Sequence, residues 1–419
     1  MRNKSTNTYI FMINYKQILP LALLLTIHVG AQETIHLQLI NPSKMERSDA
    51  PIVINVSEYN HVKSAMVMID GQEQPCQLDD LDQDGRFDEL AFVANFGKKQ
   101  TKDATITLYN DGEPRQYAAR TYAEMVMRNG KVKEKNKHDI YLSSITVDKE
   151  TDNSNSYNVL HHHGVAFESE LIAMRIYLDQ RQTIDLYGKF HQGLELKETQ
   201  FYTSEEQKKQ GYGDDVLWVG NTFGLGAIRG WDGQGPTMLS DVQRRTQRIL
   251  AKGPVRTIVE VKDDIWHVTP NAEPVNMTIR YTLYGGHRDF DVDVTFNRNV
   301  PDLHFSTGII NVKNSEEFTD KDGLRACWGT DWPASDTLNW KRETVGLAVF
   351  VPAKYRVSEL AANKDNYAYV IRADGNQLHY NLAYTSDNED YGYHSSKSWF
   401  DYVKLWRKQL ETPIEIKRK

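Results

Sequence analysis

The densest group of chemically active side chains lies between His161 and His191 and opens with three consecutive histidines, His161, His162 and His163. On an extended strand the first and third would share one face, and the second would point to the other. A zinc site would need a further ligand, such as His191 or a carboxylate. A polar edge strand is the ordinary alternative. An acid, base or hydrogen-bonding role also fits, because the pKa of histidine lies near neutrality.

Acidic and basic residues follow in the same region. Glu168 and Glu170 are spaced to share one face of a strand. Arg175, Tyr177 and Asp179 are spaced to share a face of the next segment. We expect these groups to line a polar cleft. The alternative is a surface ladder of cross-strand ion pairs, each worth less than about 1 kcal/mol.

Aromatic residues alternate with charged ones further along the chain, and the group comprises Tyr212, Asp214, Asp215, Trp218, Arg229, Trp231 and Asp232. Aromatic rings stack on the C–H faces of sugars while charged groups bind sugar hydroxyls, so this composition favours a carbohydrate ligand. Tryptophans buried in a core are the alternative. The glycines do not form a dinucleotide-binding motif and no G-x-S-x-G elbow occurs, so neither a nucleotide cofactor nor serine hydrolase chemistry is predicted.

Four aspartates, Asp80, Asp82, Asp84 and Asp88, occupy positions 1, 3, 5 and 9 of a loop with glycine at position 6. This is the acidic part of a calcium-binding loop. An EF-hand would need glutamate at position 12, which is Ala91, and the residues beyond have a strand pattern. We therefore predict a structural calcium site outside an EF-hand. A polar hairpin whose aspartates only form turns is the alternative.

Alternating apolar and polar residues predict that β-strands position these groups. The pattern predicts an all-β fold, with a small N-terminal β-sandwich over residues 32–118 and a charged, solvated linker over 119–137. A large two-sheet sandwich or barrel over 138–419 would follow. Near the C-terminus, Trp399, Phe400, Val403, Trp406 and Leu410 recur at helical spacing and predict a closing amphipathic helix.

Composition and the N-terminus restrict the location and the partners. The 50 basic residues against 57 acidic ones give a net charge of −7, which lacks the basic excess of a nucleic-acid-binding protein. Residues 1–31 combine basic residues, a short apolar stretch and a small-residue cleavage site, as in a secretory signal peptide. We expect a periplasmic protein, or a secreted one, without a membrane span. Cys76 and Cys327 permit at most one disulfide.

The segment 162–189, together with 215–220, 230–233 and 82–89, resembles an exported bacterial family catalogued as a domain of unknown function and encoded among polysaccharide-degradation genes. The resemblance covers nearly all of the chain after residue 31. It implies a galactose-mutarotase-like β super-sandwich for residues 138–419. It also implies the activity of an ulvan oligosaccharide dehydratase, which eliminates water across C4 and C5 of a non-reducing-end uronate. The partner would be a uronate-containing oligosaccharide.

That elimination needs a cation at the uronate carboxylate, a base near C5 and an acid at the C4 oxygen. Arg175 or Lys189 could supply the cation and His162 or His163 the base. The acid could be Tyr187, Tyr212 or a protonated Glu168. The expected substrate-binding residues are Glu170, Asp215, Trp218, Arg229 and Trp231. The alternatives are a polysaccharide lyase, a mutarotase-like enzyme and a non-catalytic glycan-binding protein.

Overall fold

A computed structural model describes residues 32–131, 138–149, 156–334, 337–338 and 340–419. The predicted signal peptide, residues 1–31, lies outside the described residues. Among the helices of the described ranges, none is long and apolar enough to cross a membrane.

The first strands pack as two antiparallel sheets around a core of their own. They are β1 (Gln32–Ile40), β2 (Arg47–Asn55), β3 (Ser64–Ile69), β4 (Gln72–Gln74), β5 (Cys76–Asp79), β6 (Glu89–Phe96) and β7 (Thr101–Tyr109). Strands β1, β7, β3 and β4 form one sheet, and β2, β6 and β5 form the other. Alternate residues such as Leu37, Ile52 and Ile106 meet in the core between them.

The chain then builds the region that carries the candidate site. Its elements are β8 (Thr121–Glu124), β9 (Val126–Met127), β10 (Ile140–Tyr141), β11 (Ser144–Asp148), α1 (Ser156–Val159), β12 (Gly164–Ser169), β13 (Ala173–Tyr177), β14 (Ile184–Gly188), α2 (Leu196–Thr199), α3 (Glu205–Lys209) and β15 (Asp214–Asp215). Residues 121–127, expected in a solvated linker, are therefore strands. Strand β8 pairs with β12, and Thr121, Ala123 and Glu124 are buried there, so this part of the expected linker belongs to the large sandwich.

The remaining elements complete the large sandwich. They are β16 (Arg229–Trp231), β17 (Pro236–Thr237), β18 (Val242–Lys252), β19 (Arg256–Trp266), β20 (Val275–Tyr284), β21 (Asp289–Phe296), β22 (Phe305–Ile310), β23 (Glu316–Thr319), β24 (Leu324–Asp331), β25 (Glu343–Phe350), β26 (Arg356–Glu359), β27 (Asn366–Ile371), β28 (Gln377–Ser386), α4 (Ser396–Leu410) and β29 (Glu415–Arg418). Strand β29 returns to pair with β1.

The large sandwich has one long sheet facing two shorter ones. The nine-stranded sheet runs β11-β18-β19-β20-β21-β28-β25-β24-β23. The five-stranded sheets β15-β14-β13-β12-β8 and β17-β16-β22-β27-β26 contribute side chains to the same hydrophobic core as the nine-stranded sheet. The predicted all-β sandwich class is confirmed.

The predicted C-terminal helix is confirmed as α4, whose Trp399, Val403 and Trp406 are buried against β24 and β25. The side chain of Ser395 caps its first turn by accepting a hydrogen bond from the Ser398 amide. Cys76 and Cys327 are both buried and free, and they lie in different cores. They do not form the disulfide that the sequence permitted.

Candidate active site

The candidate site lies on the outer face of the sheet formed by β8, β12, β13, β14 and β15. Successive strand residues point to opposite faces, so Phe167, Met174 and Leu186 enter the sandwich core while their neighbours face outward. The short helix α2 and Phe201 cover part of this outer face. Polar side chains on the face are therefore largely removed from water and must find partners within the protein.

Arg175 is the centre of this face. Its Nε and Nη2 donate to Asp185 Oδ2 at 3.0 and 2.6 Å, and Nη2 also donates to Asp215 Oδ2 at 3.1 Å. Its Nη1 donates to the Tyr202 hydroxyl at 3.0 Å, and the guanidinium lies 4.2 Å from the centre of the Phe201 ring. We call Arg175, Asp185, Asp215 and Tyr202 the arginine cluster. All the nitrogens of this guanidinium contact protein groups, so Arg175 organises the site instead of presenting a free cation.

Asp215 is the member of the arginine cluster best suited to act as an acid. Burial, together with the nearby Asp185 carboxylate, raises the pKa of Asp215 well above its ordinary value, against the opposing effect of Arg175. One guanidinium therefore faces two buried carboxyl groups, and Asp215 holds a proton more readily than a free aspartate does. The Asp215 side chain is 15% exposed, whereas that of Asp185 is 2% exposed. Asp215 is thus the carboxyl that a ligand can approach.

The histidine triplet forms a turn instead of the extended strand expected from the sequence. His163 has a left-handed backbone with φ of 63°, and all three rings are buried. In this turn His163 and His162 reach different partners without pointing to opposite faces of a sheet. Burial lowers the pKa of His161 to about 3 and that of His163 to about 4, and it lowers the pKa of His162 well below its usual value. All three are therefore neutral near pH 7.

The hydrogen bonds of His163 fix its tautomer. Its Nδ1 lies 2.6 Å from the carbonyl oxygen of Tyr157, which can only accept, so Nδ1 carries the proton. The neutral ring then accepts at Nε2, which lies 2.9 Å from the Tyr202 hydroxyl. Tyr202 consequently donates to His163 and accepts from Arg175. Burial raises the pKa of Tyr202, with Arg175 opposing, so the phenol is protonated at rest and its hydrogen bond orients that proton towards His163.

His162 belongs to a neighbouring neutral pair. Its Nε2 lies 2.7 Å from Glu124 Oε1, and the Tyr122 hydroxyl donates to the other oxygen of Glu124 at 2.9 Å. Burial raises the pKa of Glu124 to about 8, with the Tyr122 hydrogen bond opposing. The carboxyl is therefore protonated at neutral pH beside a neutral imidazole. The pair is fully buried, and its hydrogen bond holds His162, the middle residue of the histidine turn, in place.

Glu168, Lys189 and Tyr187 hold α2 and the loop behind the arginine cluster. Lys189 Nζ donates to Glu168 Oε2 at 2.7 Å and to two backbone carbonyls, and Glu168 accepts from the backbone amides of Glu195 and Leu196. The side chains of Lys189 and Glu168 have no exposed surface. The Tyr187 hydroxyl is buried within 2.9 Å of Glu195 Oε2. In this conformation none of the three reaches a ligand.

An open pocket adjoins the arginine cluster at Asp215. Its volume is about 410 Å³, and its lining includes Phe190, Lys208, Lys209, Tyr212, Asp214, Asp215, Trp340, Lys341 and Glu343. We call it the lysine pocket. Lys208 Nζ lies 2.9 Å from Asp214 and 5.1 Å from the centre of the Trp340 ring. Burial raises the pKa of Asp214, with Lys208 opposing, and burial also raises that of Glu343. Cations, weak acids and aromatic rings thus surround one space.

Comparison with known proteins identifies a family. The sequence matches DUF4861, described as a domain of unknown function, over residues 39–416. The chain belongs to the DUF4861 family. No curated protein matches it.

Two solved structures from Enterococcus faecalis are remotely similar to this DUF4861 protein. One is a protein in glycosyl hydrolase family 38, with 9% identity over 92% of this chain and a TM-score of 0.49. The other is an alpha-mannosidase from strain V583, with 8% identity over 92% of this chain and a TM-score of 0.46. The chain spans about half of each, 47% and 46% of their lengths. Likeness this remote says nothing about the reaction.

The other predicted ligand-binding residues of this DUF4861 chain make no described hydrogen bond to the arginine cluster. Glu170 does not share a strand face with Glu168, because β12 ends at Ser169; it accepts from Arg120 Nε at 2.5 Å instead. Arg229 is buried and donates to Thr183 and to two backbone carbonyls, and burial lowers its pKa to about 10. Trp218 is 54% exposed. Trp231 is half-buried in β16.

The acidic loop brings three of its four aspartates together. Oxygen atoms of Asp80, Asp82 and Asp88 lie within 4.8 Å of one another, and Asp84 is outside this group. The same side chains accept backbone hydrogen bonds, for example from Gly85 to Asp80 and from Leu81 to Asp88. Hard carboxylate oxygens at this spacing suit Ca²⁺. The aspartates therefore form turns and also offer a donor set for calcium.

Several residues of the site had no signal in the sequence. Tyr202, Glu124 and Tyr157 are distributed along the chain without a motif, and only the fold brings them to Arg175 and the histidines. Asp185 could have been recognised, because it is an acidic residue among the apolar residues of strand β14.

Proposed function

We propose that this protein is a carbohydrate-active enzyme that eliminates water across C4 and C5 of a terminal uronate in an oligosaccharide. The observation that carries the proposal is the Tyr202 hydroxyl, held between His163 Nε2 at 2.9 Å and Arg175 Nη1 at 3.0 Å. The same guanidinium holds Asp215, and burial and Asp185 raise the pKa of this carboxyl, which favours an acid role. A base and an acid are thus attached to one rigid cation.

The proton transfers balance without an added reactant. The Tyr202 oxygen takes the C5 proton while its own proton passes to His163 Nε2. The C5–H electron pair forms the C4–C5 double bond, and the C4–O bond breaks. The leaving oxygen takes the proton of Asp215 and departs as water. The protonated His163 and the Asp215 carboxylate then exchange a proton with solvent to restore the starting state.

The lysine pocket would bind the anionic part of the substrate. Removing the C5 proton places negative charge on the uronate carboxylate, and a cation close to it stabilises the transition state. The pocket's cations are Lys208, Lys209 and Lys341, and Lys208 is already paired with Asp214 and Glu205. Lys209 and Lys341 therefore replace Arg175 and Lys189 in this role. Trp340 and Tyr212 offer rings on which a sugar can stack.

We also propose that the chain is exported and that calcium binds at Asp80, Asp82 and Asp88. The leader-like residues 1–31 support export, and N-terminal sequencing of the protein from a periplasmic fraction tests it. The grouped carboxylates support the calcium site. Calcium would stiffen the small sandwich, because the loop joins β5 and β6.

The experiment is incubation with a saturated uronate-ended disaccharide, followed by near-ultraviolet absorbance and mass spectrometry. Dehydration predicts a new chromophore and the loss of one water with the glycosidic bond intact. A lyase would leave the disaccharide unchanged and cleave a longer chain. A mutarotase would change only the optical rotation of the sugar. A glycan-binding protein would change neither the absorbance nor the optical rotation. Any of these three results would reject the proposed dehydration.

A further inference from the structure

A second, larger cavity than the lysine pocket lies on the other side of the sandwich. It has a volume of about 690 Å³ and lies against the outer face of β19, β20, β21 and β28. Leu81 and Glu89 from the small sandwich and Tyr355 also line it. We call it the polar groove. Both layers of the large sandwich separate it from the arginine cluster.

The polar groove is built from side chains in register across four central strands. Glu260, Arg280, Asp293 and His379 are directly paired neighbours on β19, β20, β21 and β28. A second row pairs Thr282 with Asp291 and Asp291 with Asn381. The intervening residues, such as Val261, Ile279 and Val292, belong to the hydrophobic core. Outward residues on central strands often face open water, but here the small sandwich borders them.

The charges of the polar groove are compensated within the protein. Glu260 accepts from Arg280 Nε at 2.9 Å and from Arg248 at 2.5 Å. Asp293 lies 2.8 Å from His379 Nδ1. Arg256 donates to Glu89 at 2.6 Å. The groove therefore offers many donors and acceptors of hydrogen bonds but little net charge.

This composition selects one chemical class of ligand. An apolar ligand would remove water from the charged groups without replacing its hydrogen bonds, which is unfavourable for every group that loses one. An anion would have to displace Glu260 and Asp293 from the basic side chains that pair with them. A cation would have to displace those basic side chains from the two carboxylates. Sugar hydroxyls donate and accept at once, so they can bind to paired charges without separating them. The cavity volume also lies within the range of about 300–1,000 Å³ for small-ligand sites.

We propose that the polar groove is a second saccharide-binding site, which takes an uncharged, hydroxyl-rich oligosaccharide. Thr282, Asp291 and Arg280 form its floor, and Tyr355 and Glu89 form its sides. The site does not depend on the proposed elimination, because it uses none of the residues of the arginine cluster or the lysine pocket. It would hold a neutral stretch of a glycan on the face of the protein opposite to the reaction.

The test is ligand-observed NMR titration of the full chain with four neutral tetrasaccharides, of gluco, manno, galacto and xylo configuration. We expect at least one to bind at millimolar concentration or below. Arg280→Gln should weaken that binding about 10- to 100-fold, since it removes charged hydrogen bonds. Arg298→Gln, an exposed arginine outside the groove, is the matched control and should bind like the wild type.

Thr282→Trp is the second variant, because it fills the groove without removing a member of an ion pair. It should abolish binding while leaving the melting temperature and the turnover of a uronate-ended disaccharide unchanged. Absence of binding by all four tetrasaccharides would overturn the proposal, and so would binding that survives in Thr282→Trp. Either result leaves the elimination assay unaffected, so the two proposals fail separately.

Discussion

Replacing Arg175 with alanine should destabilise the protein strongly. The Arg175 side chain is 5% exposed and makes three hydrogen bonds to the carboxyl groups of Asp185 and Asp215. Its removal leaves buried acidic groups without their cation, and breaking a buried ion pair in this way typically costs about 3–5 kcal/mol. Arg175→Ala should therefore be a partly unfolded variant whose lost activity does not report on catalysis.

The size of this effect should depend on pH. Arg175 lowers the pKa of Asp215 while burial and Asp185 raise it, so removing Arg175 raises the folded-state pKa of Asp215 further. A carboxyl group whose pKa is higher in the folded protein than in the unfolded one, where it is near 3.8, stabilises the fold when the pH lies below both pKa values. That stability is lost as the pH rises through the folded-state pKa. The stability deficit of Arg175→Ala should therefore be smallest near pH 4 and larger at pH 8.

Urea denaturation of the wild type, Arg175→Ala, Asp185→Asn and the double variant measures this coupling. The double variant should recover part of the loss, with a coupling energy of about 1–3 kcal/mol. Arg298→Ala, an exposed arginine, is the control and should cost less than about 0.5 kcal/mol. A cost below about 1 kcal/mol for Arg175→Ala, or a cost that does not change with pH, would refute the description of Arg175 as a buried organising cation.

The remaining predictions concern the acid, the pH profile and the metal. Asp215→Asn should lower the elimination rate about 10²- to 10⁴-fold in the absorbance assay, whereas the exposed Asp302→Asn should not change it. The rate should fall towards pH 4 as His163, with a pKa of about 4, takes up a proton. It should fall again at high pH as Asp215 loses its proton; a flat profile would contradict both assignments. Calcium should raise the melting temperature by a few degrees and EDTA should reverse this. Asp82→Ala should remove the response and Asp84→Ala should largely keep it, whereas an EDTA-insensitive melting temperature would reject the calcium site.

Much of the fold could be predicted from the sequence because strand patterns are local. The alternation in β20 and β21 indicates which residues enter the core, and the spacing of Trp399, Val403 and Trp406 predicts α4. The turn at 161–163 was not predictable from alternation, since it depends on a left-handed His163. Strand β8 was also missed, because its burial comes from pairing with the distant β12.

The sequence predicted which region of the chain forms the candidate site, but it did not predict the role of each residue there. The sequence indicated His163, Arg175 and Asp215 but gave no means of knowing that Asp185 already pairs with Arg175. Lys189 and Glu168 are chemically suited to catalysis, yet each completes the other's hydrogen bonds in a fully buried pair. Residue type predicts chemistry, whereas burial and partners determine whether that chemistry is available to a ligand.

The central claim is that the Tyr202 oxygen takes the C5 proton while its own proton passes to His163. The most direct measurement compares wild type, Tyr202→Phe and Tyr141→Phe in the uronate-ended disaccharide assay. Tyr141 is 51% exposed and does not contact Arg175 or His163 through a described hydrogen bond, so its variant is the matched control. Loss of at least about 10²-fold in the rate of water elimination for Tyr202→Phe alone, in a variant that a melting curve shows to be folded at the assay temperature, is the predicted result. Retention of the wild-type rate by Tyr202→Phe would contradict the account.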